Sequence, residues 1–320
     1  MRHRMDLRRR LDPEARAALA VSEERLSAFG PVRLGDVAAM REAYAFERRY
    51  WNEPVVAMGR VEERVVEADG LPTRLRLYEP EAVSCPVVLV YLHGGGFTVG
   101  SIDTHDRIMR LHAQKGGFAV IGVDYALAPE VKFPRQLRQL RALVPELLEL
   151  FGLRERRLAL GGDSAGANLA LATAAFSRRD ELPLVGLLLY YGVYGLRDSA
   201  AQRLWGHGDV GLTVERMGVY HGCYLPSPEA ASDPRFDLLA ADLSEVPPCF
   251  VLAPTMDPLH DDSRALVAIL EEIGKPVVWR RYDGVLHGFL HLSRMVSKAE
   301  RAISEGALFL RGLVPGTDSR

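Results

Sequence analysis

Apolar runs and stretches of helical spacing alternate along most of this chain. Residues 73–78, 87–92, 119–123, 158–160, 186–190, 250–252 and 277–281 read as strands. Several are continuous apolar runs of the kind a sheet buries on both faces. Between them, residues 104–115, 135–151, 168–177 and 263–273 carry apolar positions near helical spacing. Strands separated by helices predict an α/β fold with a mostly parallel sheet. Two stretches break the rhythm: residues 1 to about 50 are helical in composition, and residues about 192 to 245 are rich in Gly, Trp, Tyr and Pro. Both are expected to form a helical cap over the carboxyl edge of the sheet, where open α/β folds bind ligands. The whole of 1–320 is then one domain with that cap.

Composition narrows the function. A length of 320 residues suits one large α/β domain, and 48% hydrophobic with 26% charged residues is ordinary for a globular protein. Lys and Arg number 40 against 42 Asp and Glu, a net charge of −2, so no global field draws nucleic acid or a membrane surface. Arg2, Arg4, Arg8, Arg9 and Arg10 look like the charged end of a targeting signal, but Leu11-Asp12-Pro13-Glu14-Ala15-Arg16 follows instead of an apolar core. Export is not expected, and the cluster reads as a solvated helix face or frayed tail. Apolar runs such as 86–92 are far shorter than the roughly 18 residues of a membrane span. Cys85, Cys223 and Cys249, odd in number and widely spaced, read as buried reduced thiols.

Two glycine motifs carry the candidate chemistry. Gly162-Asp163-Ser164-Ala165-Gly166 lies between the strand at 158–160 and the helix beginning near 168. A G-x-S-x-G turn in that context holds its serine in a strained, exposed conformation, which makes Ser164 the candidate nucleophile. His93-Gly94-Gly95-Gly96-Phe97 follows the strand at 87–92. Its backbone N–H groups, with that of Ala165, can converge on the oxyanion formed when an acyl carbonyl is attacked. Gly94 and Gly95 are the expected donors, Gly96 a further candidate, and His93 is expected to orient the loop by hydrogen bonding. A nucleotide loop is the rival, but Val99 stands where the last glycine of G-x-G-x-x-G belongs.

A serine nucleophile needs a base, and the base needs an acid to fix its tautomer. His287, just after the strand at 277–281, is the expected base. The acid should follow the strand at 250–252, where Asp257, Asp261 and Asp262 qualify by charge. Asp257 is the choice, because Asp261 and Asp262 immediately precede a helix and capping explains one of them. His287 and His291 have the spacing of a metal pair on a helix, yet no third ligand follows zinc-protease spacing, so no metal is expected. Trp51, Phe97, Trp205 and Phe289 are candidates for pocket walls, with ordinary core the commoner role of such residues.

HGGGF at 93–97, GDSAG at 162–166, DPL at 257–259 and HGF at 287–289 occur in the order of a known group. With them the chain resembles the hormone-sensitive-lipase-like serine esterases of the α/β-hydrolase superfamily. Glu47-Arg48-Arg49-Tyr50-Trp51-Asn52, the stretch 104–111, Gly195-Leu196-Arg197-Asp198-Ser199 and the stretch 289–295 look closest to its bacterial acetyl-esterase branch. The resemblance covers roughly residues 40 to 310. It implies a cytoplasmic, cofactor-free enzyme that hydrolyses small esters of short acyl chains, acetyl to butyryl, with a triad of Ser164, Asp257 and His287. An amide, lactone or carbamate hydrolase, or a non-catalytic binding relative, is the alternative on the same fold. Any self-association is expected to give a homodimer.

Overall fold

The computed structural model describes residues 6–208 and 210–314. Along it run α1 (Pro13–Phe29), α2 (Val37–Asn52), β1 (Arg60–Ala68), β2 (Leu71–Glu79), β3 (Val87–Leu92), α3 (Asp106–Gly116), β4 (Ala119–Asp124), α4 (Arg135–Leu143) and α5 (Leu147–Leu150). There follow β5 (Arg157–Asp163), α6 (Ala165–Ala175), β6 (Leu184–Tyr190), α7 (Ala200–Trp205), α8 (Val214–Tyr224), β7 (Cys249–Pro254), α9 (His260–Glu272), β8 (Val277–Tyr282) and α10 (Ser297–Gly312). The eight strands form one sheet in the order β1-β2-β4-β3-β5-β6-β7-β8. β1 and β2 are antiparallel to their neighbours, and from β4 to β8 every pairing is parallel.

The parallel strands are apolar on both faces because helices cover both. On β3, Val88, Val90 and Leu92 pack with α4, α6 and α9 residues such as Leu140, Leu169 and Leu266. Val87, Leu89 and Tyr91 point the other way, towards α3 and α10 residues such as Ile108 and Ile303. Side chains alternate across a strand, so one six-residue run feeds two cores. β5 lies between β3 and β6, which puts the turn after it near the middle of the sheet's carboxyl edge.

Each of the seven strands read from the sequence is present; β3 has the expected bounds and the other six run one to four residues longer. The helix expected over 135–151 is broken by a 3₁₀ turn at Val144–Glu146, where Pro145 cannot donate a backbone hydrogen bond. β1 and α10 are absent from the sequence reading. β1, RVEERVVEA, is an exposed edge strand whose charges hide any apolar run.

Among the described residues no helix is long and apolar enough to cross a membrane. All three cysteines are free; Cys85 and Cys249 are buried as expected, and Cys223 is only partly so. Arg2 and Arg4 lie outside the described residues, but Arg8 to Arg10 differ from a frayed tail. Arg8 Nη1 donates to Glu23 at 2.8 Å, and the Arg10 guanidinium sits 5.7 Å from the Trp205 ring centre.

Candidate active site

The turn after β5 is forced by crowding. A side chain on Gly162 would place its Cβ 2.3 Å from the Leu92 carbonyl, and one on Gly166 would lie 1.9 Å from the same oxygen. Only bare backbone fits where the turn crosses the end of β3. Ser164, between them, adopts φ +54°, ψ −118°, outside the regions an L-residue prefers. Its N–H donates to the Tyr190 carbonyl at 2.9 Å, which holds the strained turn on β6.

Two other loops bring their side chains to this serine. Asp257 follows β7, is fully buried, and accepts the Leu259 N–H on Oδ1 at 2.8 Å. Its Oδ2 lies 2.7 Å from His287 Nδ1, on the loop after β8. A carboxylate can only accept, so Nδ1 carries the proton and Nε2 presents a lone pair. That Nε2 is 2.9 Å from Ser164 Oγ. The Tyr191 ring meets the imidazole edge-on, 4.9 Å between centres. Asp261 and Asp262 are turned elsewhere. Asp261 accepts the Ala201 N–H at 2.9 Å, and Asp262 Oδ1 accepts from Tyr194, Gly195 and Leu196 at 2.8, 3.0 and 3.2 Å. Neither caps α9, whose N-cap is Leu259. Both instead pin the chain after β6.

The glycine loop departs from expectation at Gly94. Its N–H donates to Asp163 Oδ1 at 3.0 Å, with His105 Nε2 3.2 Å away, so it is spent inside the protein and cannot serve an oxyanion. The next two glycines, Gly95 and Gly96, line the cavity in front of Ser164. Asp163 was not singled out from the sequence, although an acidic residue ending a buried apolar strand was the available signal. The Tyr91 hydroxyl also donates to Asp163 Oδ1, at 3.0 Å. Burial alone would push the Asp163 carboxyl up, but His105, Tyr91 and the Gly94 N–H hold it below the ordinary carboxylate range. His93 stacks on Tyr125 with ring centres 4.4 Å apart, and its Nδ1–H donates to the Gly94 carbonyl at 2.8 Å. Burial, with His105 nearby, pushes the His93 imidazole down to about 4, so it stays neutral and bound to the loop.

A cavity of about 450 Å³ opens before Ser164 and His287, walled by α1, α2, the start of α8 and the His287 loop. Leu19, Val32, Met40, Leu212, Leu286 and Leu292 make much of it apolar, while Tyr44, Arg48 and Arg216 bring polar groups. The Tyr220 ring packs so closely on Gly96 that a Cβ there would lie 2.2 Å from it. Of the four aromatic candidates Phe289 lines this cavity, and Trp51 and Phe97 are buried core. Trp205 packs at the edge of the core beneath Arg10. His105, Asp163 and His291 also converge, with one possible ligand atom each within 4.8 Å of the others. Asp163 and His105 are engaged with the Gly94 loop, so this cluster reads as a hydrogen-bonded brace.

The alpha/beta hydrolase fold family matches residues 89–291. The acetyl esterase of Salmonella choleraesuis (strain SC-B67) is 41% identical over 282 residues, covering 86% of this chain and 87% of that protein. Among solved structures, an esterase from Pyrobaculum calidifontis superposes with a TM-score of 0.83 at 29% identity, covering 90% of this chain and 97% of the other. An alpha/beta hydrolase enzyme from the metagenome of Lake Arreo gives 0.86 at 31% identity, covering 94% and 98%. The eight-stranded sheet is therefore the α/β-hydrolase fold, and the chain belongs to its hormone-sensitive-lipase-like family, as a carboxylic ester hydrolase.

Proposed function

We propose that this esterase works through an acyl-enzyme on Ser164, with His287 as base, Asp257 as its orienting acid, and short acyl esters as substrates. The observation that carries the reading is the unbroken pair of hydrogen bonds from Asp257 through His287 to Ser164, at 2.7 and 2.9 Å. His287 Nε2 takes the hydroxyl proton as Oγ attacks the ester carbonyl, and Asp257 stabilises the imidazolium. The carbonyl oxygen, now charged, is held by the N–H groups of Gly95, Gly96 and Ala165. His287 then gives its proton to the leaving alkoxide. Water repeats the cycle on the acyl-enzyme, with His287 again as base.

The helices α1, α2 and α8 act as a cap that shields this chemistry. The acyl arm lies beside Gly96, where the Tyr220 ring limits its length. The acetyl esterase relative supports a short-chain preference, and three unpaired thiols fit a reducing, cytoplasmic setting. A series of p-nitrophenyl esters tests the reading. We expect kcat/KM to peak between about two and four acyl carbons, to fall steeply beyond about six, and to show no jump above the micellar threshold. A rise through about ten carbons, or a jump at the interface, overturns the short-chain assignment.

A further inference from the structure

The stretch Glu47-Arg48-Arg49-Tyr50-Trp51-Asn52 does more than build α2. Glu47 is buried and its carboxylate is saturated: Oε1 accepts from Ser22 Oγ at 2.7 Å and Trp51 Nε1 at 2.5 Å, and Oε2 pairs with Arg48 Nη1 at 2.8 Å. Arg48 is not saturated. Its guanidinium lies 4.7 Å from the Tyr44 ring centre and lines the cavity, and its Nε is buried with no partner among the described residues. The charged groups on the cavity wall are Glu47, Arg48, Asp163 and Arg216. Formally they cancel, but both carboxylates are held by fixed donors while Arg48 keeps an N–H unspent. A buried donor without an acceptor is unfavourable until something fills it. Arg48 lines the same cavity as Ser164 and His287, and burial, followed by the Arg48 charge, holds the neighbouring His291 imidazole below its usual range.

Building on the esterase reading, we infer that the preferred substrate carries a carboxylate, received by Arg48 from α2 as a specificity-determining contact within the active-site cavity. A guanidinium meets a carboxylate through paired N–H groups, and its Glu47 contact uses only one. The carboxylate can belong to the acyl arm or to the alcohol.

Two pairs of esters separate those sources: mono(4-nitrophenyl) glutarate against 4-nitrophenyl pentanoate, and 4-acetoxybenzoate against phenyl acetate. The readout is the enzyme-dependent kcat/KM ratio, anionic over neutral, which a general loss of folding or catalysis does not move. Arg48→Gln should lower that ratio about tenfold or more in one pair, chiefly through KM, while Arg48→Lys, which keeps the charge but not the paired donors, should fall between wild type and Arg48→Gln. The pair that responds locates the carboxylate. The double variant Glu47→Gln/Arg48→Gln, which strands no buried charge, should show the same fall if the single variant does not fold. A change below about twofold in both pairs overturns the inference. If wild-type enzyme hydrolyses neither neutral nor anionic esters, the esterase reading itself has failed.

Discussion

At the scale of single residues, the proposed mechanism rests on Ser164, held at φ +54°. Its hydroxyl contributes nothing to core packing, so Ser164→Ala should keep the fold and lower kcat by several orders of magnitude. A folded variant keeping more than about a tenth of the activity would remove the nucleophile assignment. The three acids after β7 give a sharper test. Asp257→Asn should lower kcat on the order of a thousandfold or more, because an amide facing Nδ1 favours the wrong tautomer. Asp261→Asn and Asp262→Asn should leave kcat within about tenfold, since their oxygens hold backbone N–H groups of the chain after β6. The reverse order in steady-state kinetics would move the acid. The convergence of Ser164, Asp257 and His287 was legible because each follows a strand in a recognisable motif. The role of Gly94 was not, because where its N–H points is decided by Asp163, a residue 69 positions away.

At the scale of elements, α8 sets the wall opposite the glycine loop, and Tyr220 is its point of contact. Tyr220→Ala should open the space over Gly96 and shift the acyl-length maximum upward, with about a fourfold gain in kcat/KM for each methylene newly accommodated. An unchanged profile would place the length limit elsewhere. The buried parallel strands were readable from sequence because helices on both faces demand continuous apolar runs. β1 was not, since its exposed charges leave only Val61, Val65 and Val66 as a signal. α6 shows a different limit. All residues from Ala165 to Ala174 are buried, so it has no polar face to mark its beginning, and it starts three residues earlier than expected.

At the scale of the whole molecule, Asp262 ties the chain after β6 to α9 and leaves a pH signature. Burial pushes its carboxyl up to about 7 against three backbone donors that pull it down. A folded-state value above the unfolded one means the native protein binds the extra proton between about 4 and 7. Its contribution is therefore full at acid pH and is lost as pH rises through 7. Asp262→Asn stays neutral throughout, so its Tm relative to wild type should rise by a few degrees from pH 5 to pH 8. A difference independent of pH would show Asp262 ionised across that range.

The order of the strands also bears on how this protein is made. β5 pairs with β3 and β6, which precede or soon follow it in the chain, so the elbow that strains Ser164 has its supports early. Asp257 arrives only after β7, and His287 after β8, the last strand to join. A chain made from the amino end therefore contains the serine and its glycine loop before it contains the proposed acid and base. On the proposed mechanism, hydrolysis needs β7 and β8 in place, so the finished sheet and the finished triad come together.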